Sequence, residues 1–289
     1  MSLIDRALIE RALARLAPQG RLRVLLAPQR LRCVILRGKN LVEDSVRQVA
    51  VDHAGGHWQA SVDALRALLQ QPEIASARLP LEISLSGRWS QMVLAPWSDA
   101  LLSEPGASRF LQTQLAALYG DHARGWSIAS DDAPYGQTRV VCGVDGTLLQ
   151  ALKDVAGEYG QSCRVIEPLL ATALRRLDAA AGALALIEPG RITMAALDGK
   201  RVTAIQSQPA GDAWRLALPQ AWQRWTLRAP ELAGIEHVSV VDLSMQAQAA
   251  AEPLPARFRL VDSPFGHDTM TNAATAAILP FPDQSEAAA

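Results

Sequence analysis

Short apolar runs separated by turn residues begin at Gly20. Leu22–Leu26, Leu31–Arg37 and Val46–Val51 predict three strands, broken by Pro28-Gln29 and by Gly38-Lys39-Asn40. Val62, Leu65, Leu68 and Leu69 recur at helical spacing within Ser61–Gln70, and Leu81–Leu85 alternates as a further strand. The block 88–143 has another grammar: strand Trp89–Leu94, the break Pro96-Trp97, helix Ser108–Tyr119, then strands Gly125–Ala129 and Thr138–Val144. A helix at Thr147–Tyr159, a short strand at Arg164–Ile166 and a helix at Pro168–Ala179 follow.

From Ala183 the opening order returns. Strands at 183–188, 191–197 and 201–207 are joined by Pro189-Gly190-Arg191 and Asp198-Gly199-Lys200. A helix at Asp212–Leu227, strands at Val238–Val241 and Arg257–Val261, and a small-residue helix at Met270–Ala277 complete the half. The repeat lies in the order of elements, not in residue identity. Two βββαβα halves, the first carrying an inserted βαββ unit, are the plan of the α/β, two-lobed actin-like or ribonuclease-H-like fold, with ligands expected in the cleft between halves. The expected organisation is an N-terminal amphipathic helix over 1–20, a first half over 21–181 including the subdomain 88–143, a second half over 182–280, and a loose tail over 281–289. Ile4, Leu8, Ala12 and Leu16 share one face of that first helix, with Ser2 and Asp5 as a capping box. The simplest place for it is against its own domain.

Composition narrows the function classes. At 289 residues with 49% hydrophobic and 20% charged positions, the chain can bury a real core. Lys plus Arg number 28 against 29 acidic residues, so no overall basic field recommends nucleic acid as a partner. The three cysteines, Cys33, Cys142 and Cys163, have neither metal nor disulfide spacing and read as buried thiols of a reducing compartment. No apolar run approaches the roughly 18 residues that span a bilayer, and no signal-peptide pattern opens the chain. The expectation is a cytoplasmic protein.

Several phrases carry a family resemblance: Leu26-Ala27-Pro28-Gln29-Arg30-Leu31, Leu85-Ser86-Gly87-Arg88-Trp89, Ala95-Pro96-Trp97-Ser98, Glu167-Pro168-Leu169-Leu170 and Glu188-Pro189-Gly190-Arg191. Over residues 22–243 the chain resembles the PilM/GspL proteins, actin-like scaffolds of type IV pilus and type II secretion machines, whose first half also carries an inserted subdomain. The resemblance implies a scaffold at the inner face of a proteobacterial inner membrane, which it would touch only peripherally. The implied partner is a bitopic PilN-like membrane protein, bound through its short N-terminal cytoplasmic segment, with a pilus or secretion ATPase as a further one. By the same resemblance the segment docks between the first domain and the subdomain. That names Arg88, Trp89, Leu94, Pro96, Trp97 and Arg139 as partner-binding candidates, although the tryptophans could equally fill the junction between subdomains.

An active actin-like ATPase needs Asp and Gly at its phosphate turns, so that backbone donors approach phosphate and a carboxylate orients hydrated Mg²⁺. Here the first turn reads Ala27-Pro28-Gln29-Arg30, with neither residue. In the second, Glu188 stands one methylene further out than Asp, and Pro189 removes a donor ahead of Gly190. Gln208–Asp212 and Val241–Ser244 stand where the family keeps its adenosine glycines. The turns at Pro28, Gln29, Glu188 and Gly190 therefore read as degenerate, with no catalytic residue, metal or cofactor expected. The alternative is a divergent ATPase that still binds Mg-ATP through Glu188 and Asp145. A third reading is an unrelated α/β protein whose hairpins imitate the repeat.

Other constellations have simpler explanations. Asp145-Gly146-Thr147 opens a helix and reads as its cap. His53 and His57, flanking Gly55-Gly56, lack any completing ligand set and read as a polar turn. Arg30, Arg32, Arg37, Lys39 and Arg47 form a basic run, expected as a solvated strand edge with an anionic surface as the alternative. Of seven tryptophans, Trp214, Trp222 and Trp225 fall on one helix and read as its core and flank.

Overall fold

The computed structural model describes residues 20–42, 45–52, 55–177, 181–244 and 253–266. The helices expected over 1–20 and Met270–Ala277, and the tail, lie outside the described residues.

In the first lobe, β1 (Arg21–Ala27) and β2 (Arg30–Arg37) form a hairpin, with β3 (Asn40–Leu41) and β4 (Arg47–Ala50) both antiparallel to β2. The expected third strand, Val46–Val51, is present as β4, while the two-residue β3 is an addition that begins in the expected break Gly38-Lys39-Asn40. The Ser45 hydroxyl accepts the Ile35 amide at 2.8 Å, which takes that position out of the strand ladder. Helix α1 (Gln59–Leu69) and a short α2 (Pro72–Ala77) lead to β5 (Leu81–Leu85), which pairs parallel with β1. Sequence periodicity missed α2, whose six residues bury only Ile74.

The inserted subdomain is β6 (Ser90–Ala95), α3 (Gly106–Tyr119), β7 (Trp126–Ser130) and β8 (Arg139–Asp145), its sheet ordered β6-β8-β7. The chain returns through α4 (Gly146–Glu158) to β9 (Cys163–Pro168) and α5 (Leu169–Leu174). Helix α5 is shorter than expected. The main sheet of the lobe is ordered β3-β2-β1-β5-β9. In the second lobe β10 (Ala183–Glu188), β11 (Arg191–Asp198) and β12 (Arg201–Pro209) precede α6 (Trp214–Arg228), β13 (Val238–Asp242) and β14 (Phe258–Val261). Its sheet runs β12-β11-β10-β13-β14, the first lobe's order repeated, with the pairing senses repeated as well.

Strand alternation sends each face to a different core. On β1, Leu22, Val24 and Leu26 pack on the first lobe's own helices, while Leu25 points to the other lobe. On β10, Ala183, Ala185 and Ile187 pack under α6, while Leu184 and Leu186 point back across the cleft. A shared core therefore joins the lobes, with Leu25, Val34, Leu170, Leu184, Leu186, Val241 and Phe265 in one cluster. The tryptophans of α6 are core as expected: Trp222 and Trp225 meet edge to face at 5.4 Å.

The subdomain has a separate core, in which Val93, Ala95 and Val141 meet Leu111 and Leu115 of α3. Its tightest point is Gly143 on β8. A Cβ there would lie 2.5 Å from the Trp126 ring and 3.0 Å from Leu115. Gly143→Ala is expected to lower stability by about 1–3 kcal/mol through overpacking, read as a lowered urea midpoint with an unchanged slope.

Candidate functional site

The two hairpin turns identified in the sequence face each other across the cleft. Pro28-Gln29 and Pro189-Gly190 both line a cavity of about 550 Å³ together with Ser86, Arg88 and the Gly55-Gly56 turn. A second cavity, of about 610 Å³, lies between β6 of the subdomain and β12 of the second lobe. Its walls include Met92 and Leu94 on one side and Ile205 and Ser207 on the other, over a floor of Leu170 and Leu186. Leu118 and Tyr119, at the end of α3, close one side. Glu188, Arg191 and Ser207 line both cavities and form the partition between them.

Glu188, at the end of β10, is 5% exposed. Its carboxylate crosses to the first lobe, where the Gly87 amide donates to it at 3.1 and 3.2 Å and the Ser86 side chain bonds it too. A Cβ on Gly87 would lie 2.9 Å from the Glu188 Oε2, so the absence of a side chain at 87 admits the carboxylate. Burial pushes the Glu188 carboxyl above its usual range, against the opposing pull of Ser86, the Gly87 amide, Arg191 and Arg30. A carboxyl group so placed lines the hairpin cavity and is engaged by the protein's own backbone.

The basic run near the N-terminus is corrected here. Arg30 and Arg32 are each 1% exposed and are not a solvated edge. Both sit on the face of β2 that carries Val34 toward the second lobe. Arg30 donates to the Leu243 carbonyl just after β13, and Arg32 donates to the carbonyls of Phe265 at 3.1 Å and Gly266 at 2.9 Å. Arg37 and Lys39 alone of that run are fully exposed. The segment Val241–Ser244 is held as well: the Asp242 carboxylate accepts the Ser244 amide at 2.9 Å, and the Trp214 indole bonds the Ser244 hydroxyl at 3.2 Å.

Of the partner-binding candidates, Leu94 lines the larger cavity and Arg88 the smaller one. Trp89 packs on the first-lobe core, and its indole donates to the Gly56 carbonyl at 3.0 Å. Trp97 lies at the far end of the subdomain, its ring 4.5 Å from that of Tyr135, with Pro96 exposed beside it. Arg139 is half-buried on β8, opposite Ala95. The structure therefore does not bring the six together into one surface. Sequence reasoning missed Arg191, Ser207, Ile205 and Tyr119, because only the approach of β12 and α3 to β6 makes them neighbours.

The remaining constellations resolve as local structure. Asp145 caps α4, accepting the Thr147 amide at 2.8 Å and its hydroxyl at 2.6 Å. Burial acts to raise the Asp145 carboxyl, but the Thr147 bonds hold it below the usual range. His57 accepts the Gln59 amide at 3.2 Å as part of a turn, and His53 lies outside the described residues. Burial pushes the Cys33 and Cys142 thiols up to about 12, so both are inert packing groups at neutral pH. Among the described residues, no group of three His, Cys, Asp or Glu side chains could hold a metal ion, and no helix is long and apolar enough to cross a membrane.

The paired sheets, the cleft between them and the inserted subdomain decide the fold. The chain has an actin-like fold. No protein-family model matches the sequence, and no curated protein matches it. Solved structures do. A chain of the PilM–PilN type IV pilus biogenesis complex matches with a TM-score of 0.58 at 11% identity, over 84% of this chain and 88% of that one. A Bacteroides thetaiotaomicron protein of unknown function with an actin-like ATPase fold matches at 0.53 and 10% identity, covering 81% and 85%. The cytoplasmic domain of EpsL, an inner-membrane component of the Vibrio cholerae type II secretion system, matches at 0.50 and 18% identity, covering 84% and 90%.

Glu188 makes a pH prediction. Its folded-state pKa is raised above the ordinary 4.5, so the native state holds this proton to higher pH than the unfolded chain does. Its contribution to stability therefore falls as pH rises from the unfolded value through the folded one. Urea unfolding of wild type and Glu188→Gln between about pH 4 and pH 7 should show the wild type losing ground as pH rises. Parallel curves would refute the assignment.

Proposed function

We propose that this protein is a non-catalytic scaffold of a type IV pilus or type II secretion-like assembly at the inner membrane. In this role it holds a short segment of a membrane partner, of the kind a PilN-like bitopic protein supplies. The observation that carries the reading is the cavity between β6 and β12. Both strands are sheet edges among the described residues, and the cavity floor is aliphatic. An extended peptide entering there has backbone groups to pair with and apolar pockets for alternate side chains. The likeness to a chain of the PilM–PilN complex supports the same choice of partner. The protein would then reach the membrane only through that partner.

The non-catalytic half of the reading is supported by the hairpin turns. Glu188, the acidic residue at the second turn, is engaged with Gly87, and the first turn offers Pro28-Gln29 where an acidic turn would serve a metal. The competing reading, a divergent ATPase, predicts micromolar Mg-ATP binding by titration calorimetry with measurable hydrolysis. The scaffold reading expects neither.

Affinity capture of the cognate membrane partner tests the groove. Leu94→Arg places a charge on the aliphatic wall and should abolish recovery of a small membrane protein with a short N-terminal segment. Trp97→Ala, outside the cavity, should leave recovery within about twofold of wild type, as expected for a residue off the contact surface. Loss with Trp97→Ala and retention with Leu94→Arg would overturn the placement.

A further inference from the structure

One buried side chain ties the two lobes together through the backbone. The Glu188 carboxylate leaves the end of β10, crosses the seam and accepts the Gly87 amide of the opposite lobe with both oxygens. It sits beside the two turns that line the smaller cavity, and Arg191 and Arg30 supply the nearest positive charge. Gly87 is shaped for it: no side chain stands at 87, and a Cβ would collide with the carboxylate at 2.9 Å and touch the Arg191 Cδ at 3.5 Å.

We propose that this seam is a carboxylate site filled in cis, and that Glu188 is a positioning residue for the groove between β6 and β12. Its bond to Gly87 fixes how far the second lobe stands from the strand that begins at Ser90. Because Glu188 and Arg191 also line the groove, that spacing sets the groove's width. The chain itself supplies the carboxylate that bridges the lobes. Both protonation states retain an acceptor for the Gly87 amide, so the clasp survives the titration of the group. The inference is independent of which partner enters the groove.

The test is removal of the carboxylate followed by its return from solution. Amide exchange at Gly87, read by NMR on the full-length protein, should accelerate about tenfold or more in Glu188→Ala, the scale expected for loss of a charge-assisted hydrogen bond. Exchange at amides in the core of α6 should stay as in wild type. Sodium formate in the tens of millimolar range should restore Gly87 protection in Glu188→Ala while sodium chloride of equal ionic strength does not, the distinction between a filled site and screening. Wild type should respond to neither salt. Gly87→Ala, which keeps the carboxylate but pushes it from its seat, should loosen the seam without any formate rescue. If Glu188→Ala does not fold, Glu188→Gln, which retains one acceptor oxygen, should show intermediate Gly87 exchange. Unchanged Gly87 exchange in every foldable Glu188 variant would overturn the proposal, as would equal restoration by chloride.

Discussion

Two guanidinium groups and one carboxylate lie buried between the lobes, and each must find partners in a place water hardly reaches. An unpaired ion there would cost several kcal/mol, so the surrounding backbone has to be arranged around it. Arg30 meets a carbonyl just after β13, Arg32 meets two in the segment that follows β14, and Glu188 meets an amide in the first lobe. These bonds run in both directions across the seam. They fix the register of one lobe on the other more sharply than the shared aliphatic core, because hydrophobic burial has little directional preference.

The same bonds reach into the cleft. The end of the first strand of each half opens onto the cleft between the lobes. Here that region is made of Pro28, Gln29 and Pro189, with the Glu188 carboxylate at its edge bonded to the Gly87 amide. The groove alongside, between β6 and β12, has a different character: aliphatic below, edge strands at the sides, hydroxyls and Arg191 at one end. The division between these two spaces is a wall of three residues, so one change of side chain at the seam alters both.

Much of the fold was legible in the chain. Turn residues at Pro189-Gly190 and Asp198-Gly199 delimited β10, β11 and β12 closely, because β10 and β11, buried on both faces, are continuous apolar runs bounded by turn residues. Elements with weak burial were not legible in this way: α2 buries one residue, and β3 is two residues long. The candidate site was only half visible. The turns were found, but Trp89 and Trp97, adjacent in sequence to the groove strand, face the first-lobe core and the far end of the subdomain respectively. The motif does not encode which way its ends turn.

The sequence by itself determined the repeated order of elements, the inserted subdomain and the residue types offered by the hairpin turns. All three depend on local composition and spacing, which neighbouring residues settle among themselves. The tertiary structure alone decided what Arg30, Arg32 and Glu188 do. Their partners stand 213, 233 and 101 residues away, and no local pattern separates a solvated arginine on a strand from one aimed into a seam. An arginine at alternate positions of a strand shares a face with Val34; whether that face meets water or another lobe is settled by the packing of the two halves.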